Sequence, residues 1–130
     1  MNWKLIFLLS LFGLAVGISS LFGLGLFQIF IWPIILVTDI CVIVICPSGK
    51  YFLHAFLVAI LTEAWITAIN AYYLFDMSRV GLIQILPYGI DQQLMNVIEG
   101  VVYGVIIGVV TGIIAFTAAT FRTNRIPDPN

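Results

Sequence analysis

Charge is what this sequence has least of. Its 130 residues hold five Lys or Arg, six Asp or Glu and one His, 8% charged in all, where soluble domains carry about a quarter. With 62% hydrophobic residues and a mean hydropathy of +1.18, a water-soluble fold is excluded and an integral membrane protein is indicated. The formal net charge of -1 excludes a basic nucleic-acid surface. Cysteine is equally scarce. Cys41 and Cys46 lie five apart in one apolar run, a spacing that makes neither a CxxC redox pair nor a paired-CxxC zinc site, so both read as small packing residues. Nucleophile-elbow, phosphate-loop and HExxH patterns are missing, so no enzyme signature and no cofactor can be named. Nor do 130 residues that must mostly cross a bilayer leave room for a soluble catalytic domain. Any chemistry belongs inside the membrane or at its faces.

What is there reads as four apolar helices: about residues 5–22, 26–46, 51–75 and 97–121, a single transmembrane domain with a polar tail at 122–130. The first follows Trp3 and Lys4 and sets Ser10, Gly13, Gly17 and Ser20 on one helical face. A secretory signal peptide competes for this stretch, since Lys4, the apolar core and Ala15-Val16-Gly17 imitate its three regions; a mature chain beginning at Ile18 decides for it. The second helix holds Pro33, expected to kink it, and aligns Gln28, Trp32, Ile35, Asp39 and Cys46 along one stripe. Cys46-Pro47-Ser48-Gly49-Lys50 forms a tight loop. The third helix carries Ala59, Glu63, Thr67 and Asn70 on one side. Residues 76–96 form the one long connection, whose apolar run Val80–Leu86 is too short to cross and is expected at the membrane interface.

The basic residues set the expected topology. Lys4, Lys50, Arg122 and Arg125 fall with the termini and the second-to-third loop, and Arg79 alone falls opposite. Both ends are therefore expected in the cytoplasm. No repeat relates the two halves, so an inverted-repeat transporter is not indicated.

Ionisable residues inside a span cost about 2.5–3.5 kcal/mol at its centre, which makes each a functional hypothesis. At about 1.5 Å per residue, Glu63 lies near the midplane and Asp39 about 10 Å from its cytoplasmic end. No Lys or Arg falls within a span. Glu63 is thus expected to be carried neutral, or to exchange a proton or cation, with Asp39, Asn70 and Thr67 completing an intramembrane polar site. The alternative is that Glu63 hydrogen-bonds Thr67, Asn70 or another helix and fixes packing. His54 is open to a contact with Asp39 or to a place at the headgroups. Glu99, read as opening the fourth helix, is expected to cap it. Asp39, His54, Glu63 and Glu99 span too much depth to share a metal.

Gly100, Gly104, Gly108 and Gly112 recur every fourth residue and make a groove along one face of the fourth helix. The expected occupant is the Ser10, Gly13, Gly17, Ser20 face of the first helix. Self-association through the ladder is the competing expectation.

The stretches Gly49-Lys50-Tyr51-Phe52-Leu53-His54 and Ala64-Trp65-Ile66-Thr67-Ala68, with the fourth-helix glycines, resemble small four-helix bacterial inner-membrane proteins of no assigned activity. The resemblance covers the second half best; it implies a bacterial source and no known activity. In size and span count the chain is also similar to small multidrug-resistance transporters, which place their essential glutamate in the first helix. Here that helix has no acidic residue.

The sequence therefore predicts an all-α, four-span inner-membrane protein with both termini cytoplasmic and its first and fourth helices closely packed. Its expected partners are the lipid bilayer and a homo-oligomer or membrane-protein partner, with no nucleic acid. The leading functional expectation is a non-enzymatic structural or accessory component. The alternative is a proton- or cation-coupled carrier of a small or lipophilic solute using Glu63 and Asp39.

Overall fold

The computed structural model describes residues 1–22, 25–46, 49–79 and 92–123. Among these the regular structure is entirely helical: α1 (Trp3–Leu21), α2 (Gly25–Ile45), α3 (Tyr51–Arg79) and α4 (Gln92–Thr123). Trp3–Leu21, Tyr51–Tyr73 and Leu94–Thr123 are each long and apolar enough to cross a membrane, and α2 has an apolar stretch at Phe30–Ile45. Several hydroxyl groups along the helices are satisfied locally. Ser10 donates to Phe7 O, Thr38 to Ile34 O, Thr117 to Ile113 O and Thr120 to Phe116 O, all at 2.8 Å. In lipid this matters, because no water is present to take a stray donor.

The helix of α2 continues through Pro33, as membrane helices allow when neighbours satisfy the freed carbonyl. Two local expectations change. The long connection is shorter than 76–96, because α3 runs on to Arg79 and α4 begins at Gln92; the run Val80–Leu86 lies outside the described residues. Glu99, seven residues after Gln92, is exposed, and the helix dipole has faded beyond the first turn. It does not cap α4.

The larger correction concerns the seam. Among the described residues no Cα of α1 lies within 8 Å of one in α4. Both small-residue faces meet α3 instead, which runs between the two helices. Asn2, the N-cap of α1, and Gly13 and Ser20 within it meet His54, Thr62 and Asn70 of α3 in that order, so these helices are parallel. Gly100, Gly104, Gly108 and Gly112 of α4 meet Thr67, Glu63, Phe56 and Phe52, so α4 is antiparallel to α3. The physical reason is that one helix offers two sides. Each groove closes on the larger side chains and backbone of α3, Gly13 on Thr62 and Gly108 and Gly112 on Phe56 and Phe52.

The tighter backbone-to-backbone approach is on α1. A Cβ added at Gly13 meets the Thr62 carbonyl oxygen and would lie 2.7 Å from the Thr62 Cα, whereas one at Gly104 would lie 3.3 Å from the Glu63 Cβ. Backbone cannot yield as a side chain can.

α2 is held more lightly, against α1, α3 and α4 together. Its C-terminal end is fixed from α4, where the Arg122 guanidinium donates to Val44 O at 2.6 Å and to Ile45 O at 3.3 Å. A cation on the last carbonyls of a helix satisfies groups the helix leaves open and opposes its dipole. Beside that end sits the core cluster of Ile6, Leu9, Ile43, Ala55, Val58 and Ala115. The first residues of α1 and α3 and the last of α2 and α4 thus lie at one end of the molecule, with Lys4, Lys50 and Arg122.

Candidate functional site

The four helices meet at a small cavity under α2, to which α1 gives Val16, α2 Asp39, α3 Ala59 and Thr62, and α4 Thr111. Its volume is about 20 Å³, room for roughly one water and no larger solute. Trp32 and Ile35 line it beside Asp39, as their shared stripe on α2 requires. Gln28, placed on that stripe by its spacing, has a side chain outside the described set. Cys46 is half-buried away from the cavity, and Cys41 is exposed, so the latter is not a packing residue of the interior.

Asp39 is 5% exposed and Thr62 6%. The Asp39 Oδ1 and Thr62 Oγ1 atoms are both buried and have no hydrogen-bond partner among the described residues. Thr111 differs: its hydroxyl donates to Ile107 O at 2.7 Å and lies 3.2 Å from Gly108 O, which leaves its oxygen able to accept. Spacing alone singled out neither Thr62 nor Thr111. The signal for Thr62 was its place on the side of α3 facing Gly13, invisible without knowing which helices pair.

Glu63 is 8% exposed but does not line this cavity. Adjacent helix residues diverge by about 100°, so Thr62 turns toward α1 and α2 while Glu63 turns to α4 and lies against Gly104. Among the described residues no side-chain hydrogen bond joins Glu63 to Thr67 or Asn70. Asn70 instead accepts at Oδ1 from Ser20 Oγ at 2.9 Å, and the Thr67 carbonyl accepts from Asn96 Nδ2 at 3.3 Å. The expected site of Glu63, Asp39, Asn70 and Thr67 is therefore divided among separate seams: Asp39 on the cavity, Asn70 between α3 and α1, Thr67 and Glu63 between α3 and α4.

His54 belongs to neither carboxylate. It is fully buried, so its ring does not face the lipid. Its Nδ1 lies 2.8 Å from Lys50 O, and its Nε2 accepts from the Asn2 backbone N–H at 3.0 Å. A carbonyl beside Nδ1 and a donor beside Nε2 fix the neutral tautomer with the proton on Nδ1. No group of three or more His, Cys, Asp or Glu able to hold a metal occurs among the described residues.

On the outer surface a groove of about 430 Å³ runs between α3 and α4 past Ala64, Thr67, Gly100 and Gly104. A second, of about 370 Å³, runs between α2 and α4 past Pro33 and Val110. Both are apolar surfaces of the kind that lipid tails cover.

Helices of this length and hydropathy define a helical membrane protein. Comparison with known proteins takes the assignment no further: no protein family, curated protein or solved structure matches the chain.

Proposed function

We propose that this chain is a non-enzymatic, four-span membrane protein that serves as a structural or accessory component of a membrane assembly, as a homo-oligomer or beside a membrane-protein partner. The observation that carries the reading is the division of the intramembrane carboxyls. Asp39 and Glu63 sit on separate seams, and the cavity at Asp39 has a volume of about 20 Å³, which admits no solute beyond water size. Support also comes from α3, whose two sides engage the small-residue faces of α1 and α4, as in a scaffold with one preferred packing.

In this reading α2 is the fourth span, its 21 residues extending about 32 Å. The grouping of Lys4, Lys50 and Arg122 at one end supports cytoplasmic termini in a bacterial inner membrane. Within the assembly, the exposed side of α4, including Val101, Val105 and Val109, is left for lipid or a partner helix.

A proton- or cation-coupled carrier is the second reading, and the burial of both carboxyl residues favours it. Purified protein in liposomes with an entrapped pH-sensitive dye separates the two. Under an imposed pH gradient, with sodium or potassium present, wild type and Glu63→Gln should acidify no faster than empty liposomes. Gradient-driven flux in wild type that Glu63→Gln or Asp39→Asn abolishes establishes the carrier.

A further inference from the structure

We propose that the outer seam between α2 and α4 is a binding site for one anionic phospholipid, its phosphate taken by Arg122 and one acyl tail lying in the groove that leads to that residue. The case begins with the groove. Its first part, of about 370 Å³, is bounded by Val37 and Ile40 of α2 and by Val110 and Ile114 of α4. A second hollow, of about 350 Å³, starts at the same Ile114 and continues past Thr117 to Phe121. Val110, Ile114, Thr117 and Phe121 recur at helical spacing, so both parts lie on one face of α4. From Ile106 to Phe121 that face rises about 22 Å. This is enough for a tail that fills one leaflet, half of a hydrocarbon core about 30 Å thick.

The second observation is the cation at the end of the groove. Arg122 follows Phe121 in the last turn of α4, at the end of the span Leu94–Thr123, and its exposed side chain crosses the seam to α2. Nη1 is held there by Val44 O and Ile45 O. Those bonds fix the guanidinium and leave its Nε and Nη2 edge, with two parallel N–H groups, for an oxyanion; that fork matches phosphate.

The third is charge. Lys4 and Lys50 stand exposed at the same end, and the nearest described carboxyl along a helix is Asp39, buried and about 9 Å in from the end of α2. A surface of one sign favours a lipid of net negative charge over a zwitterionic one. A partner helix suits this groove less well than a flexible tail. Helices approach closely over small residues, whereas the rims here are the branched Val37, Ile40, Val110 and Ile114. Small residues line the groove between α3 and α4 instead, at Ala64, Ala68, Gly100 and Gly104.

Native mass spectrometry of the protein in detergent, offered phosphatidylglycerol and phosphatidylcholine of the same chain length at equal concentration, tests the site. Wild type should retain the anionic lipid roughly fivefold better, the share that one cation at the membrane surface supplies. Arg122→Gln should bring the two lipids level. Val37→Trp and Ile114→Trp, which fill the groove at exposed positions, should each lower the retention of both. Equal retention in wild type, a preference undiminished in folded Arg122→Gln, or retention of inorganic phosphate in place of lipid when both are offered overturns the proposal. So does an oligomer that the tryptophan variants dissociate with lipid retention unchanged, which gives the groove to a second copy. If Arg122→Gln fails to fold, carbon–phosphorus dipolar dephasing at the Arg122 Cζ decides, measured in phosphatidylglycerol bilayers with Arg79→Lys and Arg125→Lys as background. Dephasing is expected, and its absence overturns the site. None of these outcomes depends on which side of the membrane this end faces or on proton flux, which the liposome assay reads separately.

Discussion

His54, a lone histidine in an apolar helix, invites a reading as a proton-handling residue, and its surroundings answer otherwise. Both ring nitrogens face backbone groups, at Lys50 and Asn2, so the ring joins the start of α1 to the start of α3. Replacing His54 with Leu, close to it in volume, removes the ring's hydrogen bonds to Lys50 O and the Asn2 N–H, at a cost of about 1–3 kcal/mol for the groups left unpaired. Thermal unfolding in detergent should show the loss, and unchanged stability would refute the tie. Gly13 gives a sharper case. Gly13→Ala forces a methyl into the Thr62 backbone, with overpacking costs of about 1–3 kcal/mol. Gly104→Ala meets a side-chain carbon at 3.3 Å, a milder approach that a shift of a few tenths of an ångström relieves. Gly13→Ala should therefore destabilise the protein more than Gly104→Ala in the same unfolding assay, and the reverse order contradicts the packing.

At the scale of the helices, α2 depends on its neighbours for its position. Arg122 of α4 reaches two carbonyls in its last turn. Arg122→Gln leaves those carbonyls to water and removes a favourable charge at a helix C-terminus, a loss of about 0.3–1 kcal/mol at an exposed site. Hydrogen exchange should accelerate in the last turn of α2 and leave the α1–α3 seam unchanged. Element by element, the sequence was informative where periodicity carries the signal. The four helices were legible from hydropathy, and the stripe of Trp32, Ile35 and Asp39 foretold which side of α2 turns inward. Helix ends were less so: Gln92 to Asn96 is polar enough to read as a loop, and length beyond the hydrocarbon core leaves no mark in hydropathy. Small-residue faces were legible as contact surfaces too, yet their partner was not. A stripe of glycines states that something comes close and says nothing about what, and α3 advertises its two receiving sides with ordinary Thr, Phe and Ile.

For the whole molecule, the consequence is a layout in which α3 stands between α1 and α4, whose Cα atoms come no closer than 8 Å among the described residues, with α2 laid across. Polar groups follow that layout. Asp39 and Thr62 share the central cavity, Ser20 and Asn70 pair between α1 and α3, and Glu63 lies under Gly104. Filling the ladder with Gly104→Leu and Gly108→Leu should therefore unfold the single chain rather than only dissociate an oligomer. Circular dichroism and native mass, measured separately, distinguish those results.

The placement of α3 is tested most directly by cysteine cross-linking in a Cys41→Ser, Cys46→Ser background. Ser20→Cys paired with Asn70→Cys, whose parent side chains meet at 2.9 Å, should form a disulfide within one chain under mild oxidation. Ser10→Cys paired with Thr111→Cys should not, because no α1 and α4 Cα atoms come within 8 Å among the described residues and a disulfide needs less than about 7 Å. Intramolecular cross-linking of the α1–α4 pair, without that of the α1–α3 pair, would contradict the account.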